Sequence, residues 1–380
     1  MRGKARRYLL WLCGAFVLAL LLAACGKDLP QDTFAPAGPT AQQEKDILIV
    51  PLIGAGVVFV LVEGGIVLIA IKFRHRKGVD RMPTQLHGNT RLEIGWTIAP
   101  AVVLAVVFIP AISLIWDLSR TPSDAMHITV QGYQWWWGFQ YTDPDMQLSY
   151  GQQPEPITVA DVMVIPVNQT IDLSLVSMGG GAHSTNGEPD NIVIHSFWAP
   201  RLFGKQDVIP GTSGEDNHIV FSADAPGTYS GQCAEFCGLQ HGMMKFRIIA
   251  LDDAAWQGWV ANHKQPAAAP SSDAAAGMDL FFGTSDQPGQ CIACHTIGLN
   301  DQSALNPAAP NLTHFADPTH PCFAGCDFET FMPDGTTCNT AAIEAWLRDP
   351  SEVKLGAKMP DYGLAEDQIT DLAAYLCTLH

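Results

Sequence analysis

The sequence predicts a multidomain membrane protein: a two-helix hairpin across a membrane, an all-β domain outside it, and an all-α C-terminal domain. Three observations carry this. Ile47 to Ile71 holds one charge, Glu63, and Ile94 to Trp116 holds none; both runs exceed the ~20 residues a helix needs to cross the hydrocarbon. Residues 126–263 offer short β-branched or aromatic stretches broken by Gly, Pro and Asn, the composition of strands. Residues 277–380 change character, with Ile369, Leu372, Leu376 and Leu379 at helical spacing.

In chain order, residues 1–24 are expected to be a signal peptide. Basic Arg2, Lys4, Arg6 and Arg7 precede an apolar run that ends in small residues. The run closes on Leu22-Ala23-Ala24-Cys25, which resembles a bacterial lipobox, so the mature chain is expected to start at a lipid-bearing Cys25. An external segment, 25–46, then leads into spans at 47–73 and 94–116. Between the spans lies "KFRHRKGVDR". Its Lys and Arg place this short loop in the cytoplasm and everything after Trp116 outside, the orientation the lipobox also requires.

The formal charge is −17, and loss of the four basic signal residues leaves −21. Such acidity argues against nucleic acid and fits a basic partner or plain solubility. Of ten cysteines, Cys13 leaves with the signal and Cys25 is assigned to lipid. The other eight lie in an oxidising compartment and must be paired, metallated or covalently occupied. Regular short strands without intervening helices suggest an antiparallel sandwich or barrel. A helix-like "DAAWQGWVANH" ends that domain, and "KQPAAAPSSDAAA", 264–276, has the composition of a flexible linker. As a free chain it would span roughly 20 Å.

The stretch "GQCAEFCGLQHGMM" carries the chemistry. Cys233 and Cys237 are four apart, His241 follows four later and Met244 three after that. Cys-x3-Cys alone suits a disulfide or half a zinc site, but structural zinc prefers Cys-x2-Cys and no thioether. Thiolate, imidazole and weak thioether together are the electron-transfer copper pattern. "VIHSFW" supplies a second imidazole, His195, at the end of a strand. That arrangement is a cupredoxin's.

His-Ser-Phe followed by Cys-x-Glu-x-Cys-x3-His-x2-Met resembles subunit II of cytochrome c oxidase, whose cupredoxin domain (a Greek-key β-barrel or sandwich) holds the binuclear copper centre CuA. The likeness covers both apolar runs and the strand domain, some 200 residues. It implies that Cys233 and Cys237 bridge two coppers. His195 and Met244 would complete one ion, and His241 and the main-chain oxygen of Glu235 the other, while Met243 misses the spacing. It further implies that the Glu235 carboxylate reaches a magnesium ion at the border with subunit I. "QWWWGFQY" resembles the family's aromatic segment, whose first tryptophan, here Trp135, is the electron entry; Trp136 and Trp137 are equally at home packing a sheet. "LEIGWTIAP" matches the start of the family's second helix, which makes Glu93 a candidate entrance to a proton path or simply a solvated acid. Many family members carry an acid three before the His-Ser-Phe histidine. Here that place is Ile192, with Asp190 shifted outward, so docking of a soluble cytochrome is in question. His183, in the same lengthened loop, is expected at the surface.

"CIACH" is the c-type haem attachment signal, so Cys291 and Cys294 are expected to bond the haem and His295 to ligate its iron. A methionine further on should be the sixth ligand. "KMPDYG" offers Met359, with Met332 in "FMPDG" its competitor. The tail resembles the class I cytochrome c domain fused to subunit II in some bacterial oxidases, so its donor would be tethered. Cys322, Cys326, Cys338 and Cys377 are expected to form two disulfides, with three connectivities open.

Together these features are expected of the electron-entry subunit of a respiratory haem–copper oxidase in a bacterial plasma membrane. Electrons would pass from a cytochrome c or cytochrome bc-type donor, through one covalent haem c and CuA, to the oxygen-reducing subunit I among the other oxidase subunits. The rival readings are the copper subunit of a nitric oxide or nitrous oxide reductase, and a periplasmic copper-binding protein with no catalytic partner.

Overall fold

The computed structural model describes residues 14, 29–74, 85, 87–151, 154–178, 192–212, 217–283, 289, 291–298, 309–332 and 334–380. The signal segment apart from Gly14, Cys25, most of the basic loop, His183 and Asp190 lie outside the described residues.

Helix α1, Pro39–Lys72, begins at a proline, whose fixed φ suits a first helical position. It therefore starts inside the segment 25–46. Those early residues have a partner: Thr40 Oγ1 donates to Val220 O (3.0 Å), and Glu44 Oε1 accepts from Gly204 N (3.0 Å). The hairpin's outer end is thus pinned to the β domain. Helix α2, Thr90–Leu118, is capped by Asn89, whose side chain accepts from Arg91 N and Leu92 N. Both helices hold an 18-residue apolar window with no side chain buried in the chain itself, so that surface is left for lipid.

Ten strands form the β domain: β1 Met126–Gly132, β2 Trp137–Tyr141, β3 Thr158–Ala160, β4 Val162–Pro166, β5 Ile171–Ser177, β6 His195–Ala199, β7 Phe203–Val208, β8 His218–Phe221, β9 Gly227–Cys233 and β10 Lys245–Leu251. They pair as two sheets, β3-β2-β1-β5-β8 and β4-β10-β9-β6-β7. The expected sandwich is present, but it is not purely antiparallel: β1 runs parallel to β5, and β4 to β10. Crossovers between the sheets bring those sequence-distant strands together in the same direction. Between the sheets Phe197 stacks on Phe246 at 4.0 Å, with Trp137 edge-on to Phe197 at 4.9 Å. Trp137 is therefore core. Tyr141 Oη donates to Val164 O (2.6 Å) and joins one sheet to the other.

Helix α3, Asp253–His263, follows the last strand, capped by Asp252 on Ala255 N. The C-terminal unit is built from α4 Ala275–Phe282, α5 Thr340–Arg348, α6 Pro350–Val353 and α7 Glu366–Leu376. Ile369, Leu372, Ala373 and Leu376 give α7 one buried stripe. The unit also holds a two-stranded ribbon, β11 Cys322–Phe323 with β12 Phe328–Glu329. The disulfides are Cys322–Cys326 and Cys338–Cys377.

The segment 264–276 departs from a free linker. Ala267 and Ala274 are buried, Ser149 N donates to Lys264 O (2.8 Å), and Ala267 N donates to Gly298 O (2.8 Å). Its alanines are small enough to seat in the C-terminal core while Lys264 O bonds the β domain, which the composition alone disguises as solvent-loving chain.

One position in β9 tests the sandwich. A Cβ on Gly231 would fall on the Phe246 ring, and overpacking of that kind costs about 1–3 kcal/mol. Gly231→Ala is expected to lower the denaturant midpoint of the β domain, followed by tryptophan fluorescence. An unchanged midpoint would show that Phe246 moves aside freely.

Candidate metal centre and cofactor cavity

Strand β9 delivers Cys233 and β10 starts one residue after Met244. Between them the chain makes a loop closed by Cys233 N donating to Met244 O (2.9 Å), and Ala234 N donates across to Ser196 O (2.9 Å), next to His195 at the start of β6. Within the loop His241 N donates to Gly238 O (3.1 Å), starting a 3₁₀ turn, His241–Met243. Three separate strand ends thereby meet at one point.

At that point the Sγ atoms of Cys233 and Cys237 are 3.8 Å apart. Cys233 Sγ lies 4.0 Å from His195 Nδ1 and 3.2 Å from Glu235 O. Cys237 Sγ lies 3.8 Å from both His241 Nδ1 and Met244 Sδ. Both cysteines are reduced and buried; His195 and Met244 are fully buried, at 0% exposure. The two sulfurs share a proton, which holds the Cys233 thiol far below the usual range and drives that of Cys237 up. Two thiolates this close need a cation between them. Soft sulfur, two imidazoles and one carbonyl are a donor set for copper. All five side chains predicted for the centre, and the predicted carbonyl, are therefore brought together.

The loop's outer side meets the C-terminal unit. Gln134 Nε2 and Trp135 Nε1 both donate to Cys237 O, at 2.8 and 3.0 Å. Trp135, with Tyr133 and Trp136, also walls a cavity of about 260 Å³ between the two units. Across that cavity stand Cys291, Cys294, His295 and Met359. His295 Nδ1 lies 2.9 Å from Pro310 O. A carbonyl only accepts, so Nδ1 carries the proton and Nε2 keeps its lone pair. Burial lowers the His295 pKa and pushes the Cys291 thiol up to about 11. Trp346 Nε1 donates to Met359 Sδ (3.1 Å). Met332 does not line the cavity and is 46% exposed, so position separates the two competing methionines. Cys-x2-Cys-His and a methionine facing one apolar cavity fit a c-type haem.

The remaining sequence candidates sit elsewhere. Glu93 lies in the first turn of α2, exposed, and its Oε1 accepts from Asn89 N (3.2 Å), a capping contact. Glu63 is exposed along α1 and Ile192 is 40% exposed.

Sequence reasoning passed over the polar bonds that join the two units. Asp161, in a left-handed turn, is buried and accepts from Trp137 N (3.0 Å) and Gly325 N (2.8 Å). Burial pushes its carboxyl up, and those two donors pull it down. Gln240 Nε2 donates to Leu355 O (3.0 Å), Lys358 Nζ to Gln134 Oε1 (3.3 Å), and Lys358 stands 5.7 Å over the Trp135 ring. No spacing in the sequence signals any of these; each depends on the partner unit's position.

Residues 126–251 match the family model described as cytochrome c oxidase subunit II, periplasmic domain, and residues 31–114 match its transmembrane domain. Cytochrome c oxidase subunit 2 of Alkalihalophilus pseudofirmus is 31% identical over 370 residues, covering 95% of this chain and 94% of that one. The protein of the same name from Bacillus sp. strain PS3 is 30% identical over 383 residues, covering 96% and 95%. The crystal structure of the periplasmic domain of subunit II of cytochrome oxidase of Bradyrhizobium japonicum is 28% identical, covering 38% of this chain and 97% of that chain, with a TM-score of 0.28.

Proposed function

This chain belongs to the cytochrome c oxidase subunit II family, and on that premise we propose that its external part is a two-centre electron relay whose halves are docked on each other. The observation that carries this reading is the single wall, Gln134-Trp135, that touches the carbonyl of Cys237 on one side and the His295–Met359 cavity on the other. The alignments support a role for the C-terminal unit too. Coverage of 95% leaves about 19 residues of this chain outside, far fewer than the 104 of residues 277–380.

As an electron-entry subunit the chain does not itself reduce oxygen; the other oxidase subunits do. Cys233 and Cys237 would bridge two coppers. His195 with Met244, and His241 with the Glu235 carbonyl, would complete them. Cys291 and Cys294 would hold one haem c covalently between His295 and Met359. When bound, these groups supply one-electron carriers. The protein's part is to fix their donors. The Cys233–Met244 bond closes the copper loop, Pro310 turns His295, and Trp346 holds Met359 by its sulfur. Trp135 excludes water between the two sites and places its ring and N–H on the copper loop. The Glu235 carboxylate is the candidate for magnesium at the subunit I border, and Glu93 for a proton-path entrance. We assign the chain to a bacterial plasma membrane, with residues 1–24 as signal, Cys25 lipidated and the relay outside. The electron donor is a cytochrome c or a cytochrome bc-type complex.

The copper assignment predicts two coppers per chain and the near-infrared absorption of a mixed-valence pair. Cys233→Ser is expected to abolish that band. One copper with an ordinary blue spectrum would contradict the binuclear site.

For the C-terminal unit, Cys291→Ala or Cys294→Ala should weaken or prevent covalent haem attachment. Met359→Leu should retain haem, lower its potential and open the iron to carbon monoxide. The same phenotype from Met332→Leu, with Met359→Leu silent, would overturn the axial assignment.

A further inference from the structure

Lys354 is a lysine with 2% exposure, on a short link between α6 and the Met359 loop. An ammonium has three donors, and burying one is costly unless all are met. Here two hydrogen bonds reach Ala324 O at 2.5 Å and Met243 O at 3.1 Å, and the Asp327 carboxylate pairs with the charge, its Oδ2 3.4 Å away. These three partners belong to different pieces of structure. Ala324 and Asp327 are on the Cys322–Cys326 turn and its margin. Met243 is on the copper loop, directly before the ligand Met244. The turn is itself fitted to the loop, since Lys245 N donates to Gly325 O (3.2 Å) and Lys245 Nζ to Asp327 Oδ1 (2.8 Å). Gly325 sits at φ 72°, where a side chain is disfavoured, and a Cβ there would crowd Met243 O and Lys354 Nζ. The backbone at and just after Lys354 is tied down too, because Gln240 Nε2 donates to Leu355 O and lies 3.4 Å from Lys354 O.

We propose that Lys354 is a positioning residue for electron transfer: its buried ammonium clamps the carbonyl of Met243 to the Cys322–Cys326 turn, and so fixes the register of the cavity-bearing unit on the copper loop. The Cys322–Cys326 insertion then has a stated task, as the far jaw of that clamp. The cation also stands beside the peptide that leads into Met244, where it disfavours the more oxidised, more positive copper pair. The proposal rests on the two-centre reading above.

The test is Lys354→Met in the full chain. Amide exchange at Lys245 and Gly325, whose N–H groups bond across the junction, is expected to rise about tenfold or more, the factor set by one charge-assisted hydrogen bond. The amide of Ile248, inside β10, should keep its rate. In the loaded protein the copper potential should fall relative to wild type. Junction amides that exchange at the wild-type rate would overturn the proposal. Faster exchange with an unchanged potential would reduce Lys354 to a strut and overturn the positioning role. Should the variant fail to fold, amine acylation of the native wild-type chain decides: Lys354 is expected to resist reagent at least about tenfold longer than exposed Lys358, and equal labelling would sink the clamp. Exchange and acylation need neither copper nor haem. A wild-type chain that binds neither group would therefore refute the two-centre reading while leaving Lys354 to be judged on those two results.

Discussion

One main-chain hydrogen bond, from Cys233 N to Met244 O (2.9 Å), closes the loop on which the rest of the molecule depends. It sets the ends of β9 and β10 side by side and forces the residues between them to fold back. The soft donors of the loop then have nowhere to point except toward each other and toward His195 on β6. The inner side of the loop is held by the aromatic sandwich core, where Trp137 packs edge-on to His195 at 5.7 Å. Its outer side is free to meet a second unit. A binding site for a redox metal gains from such stiffness, because donors that cannot relax need little rearrangement when the charge changes.

The second unit meets the β domain with the buried Cys322–Cys326 disulfide and with a set of polar groups around it. Asp161, Lys245, Asp327 and Lys354 form a connected set across the junction, and the deepest of them are Asp161 and Lys354. Buried charges seldom add net stability over a well-packed apolar contact. They do punish misregistration, since a slip leaves a desolvated ammonium or carboxylate without partners. This junction thus suits a task that requires one relative position more than it requires strength. Lys358 over Trp135, and the packing of Ala267 and Ala274, lead to the same conclusion: the C-terminal unit is seated.

The copper loop was legible in the sequence because all its donors but one lie within twelve residues, and because Cys, His and Met are rarely placed together without a metal. His195 was legible from its place at a strand end, and the Cys-x2-Cys-His signal from adjacency. Met359 was picked out from its place just before Pro360 with Met332 left as a competitor, and in the fold only Met359 of the two lines the cavity. The junction was not legible. Asp161 looks like an ordinary turn acid and Lys354 like a surface lysine until a distant segment is laid against them. The disulfide pairing was open for the same reason, four cysteines permitting three patterns. The segment 264–276 misled through composition, since alanine and proline suit a solvated spacer and a close seat equally. The parallel pairs in the sandwich escaped because strand direction is decided by crossovers and leaves no mark on a single strand.

In the proposed relay the cavity-bearing unit stays docked on the copper loop and passes electrons to it without moving. Rapid photoreduction of haem c in the intact chain, with haem reoxidation and copper reduction followed in time, tests this. The account predicts first-order transfer whose rate is unchanged by protein dilution, by salt and by added sucrose, because no encounter or swing is needed. A rate that falls with viscosity, or in proportion to dilution, or that appears only when soluble cytochrome c is added, would contradict it.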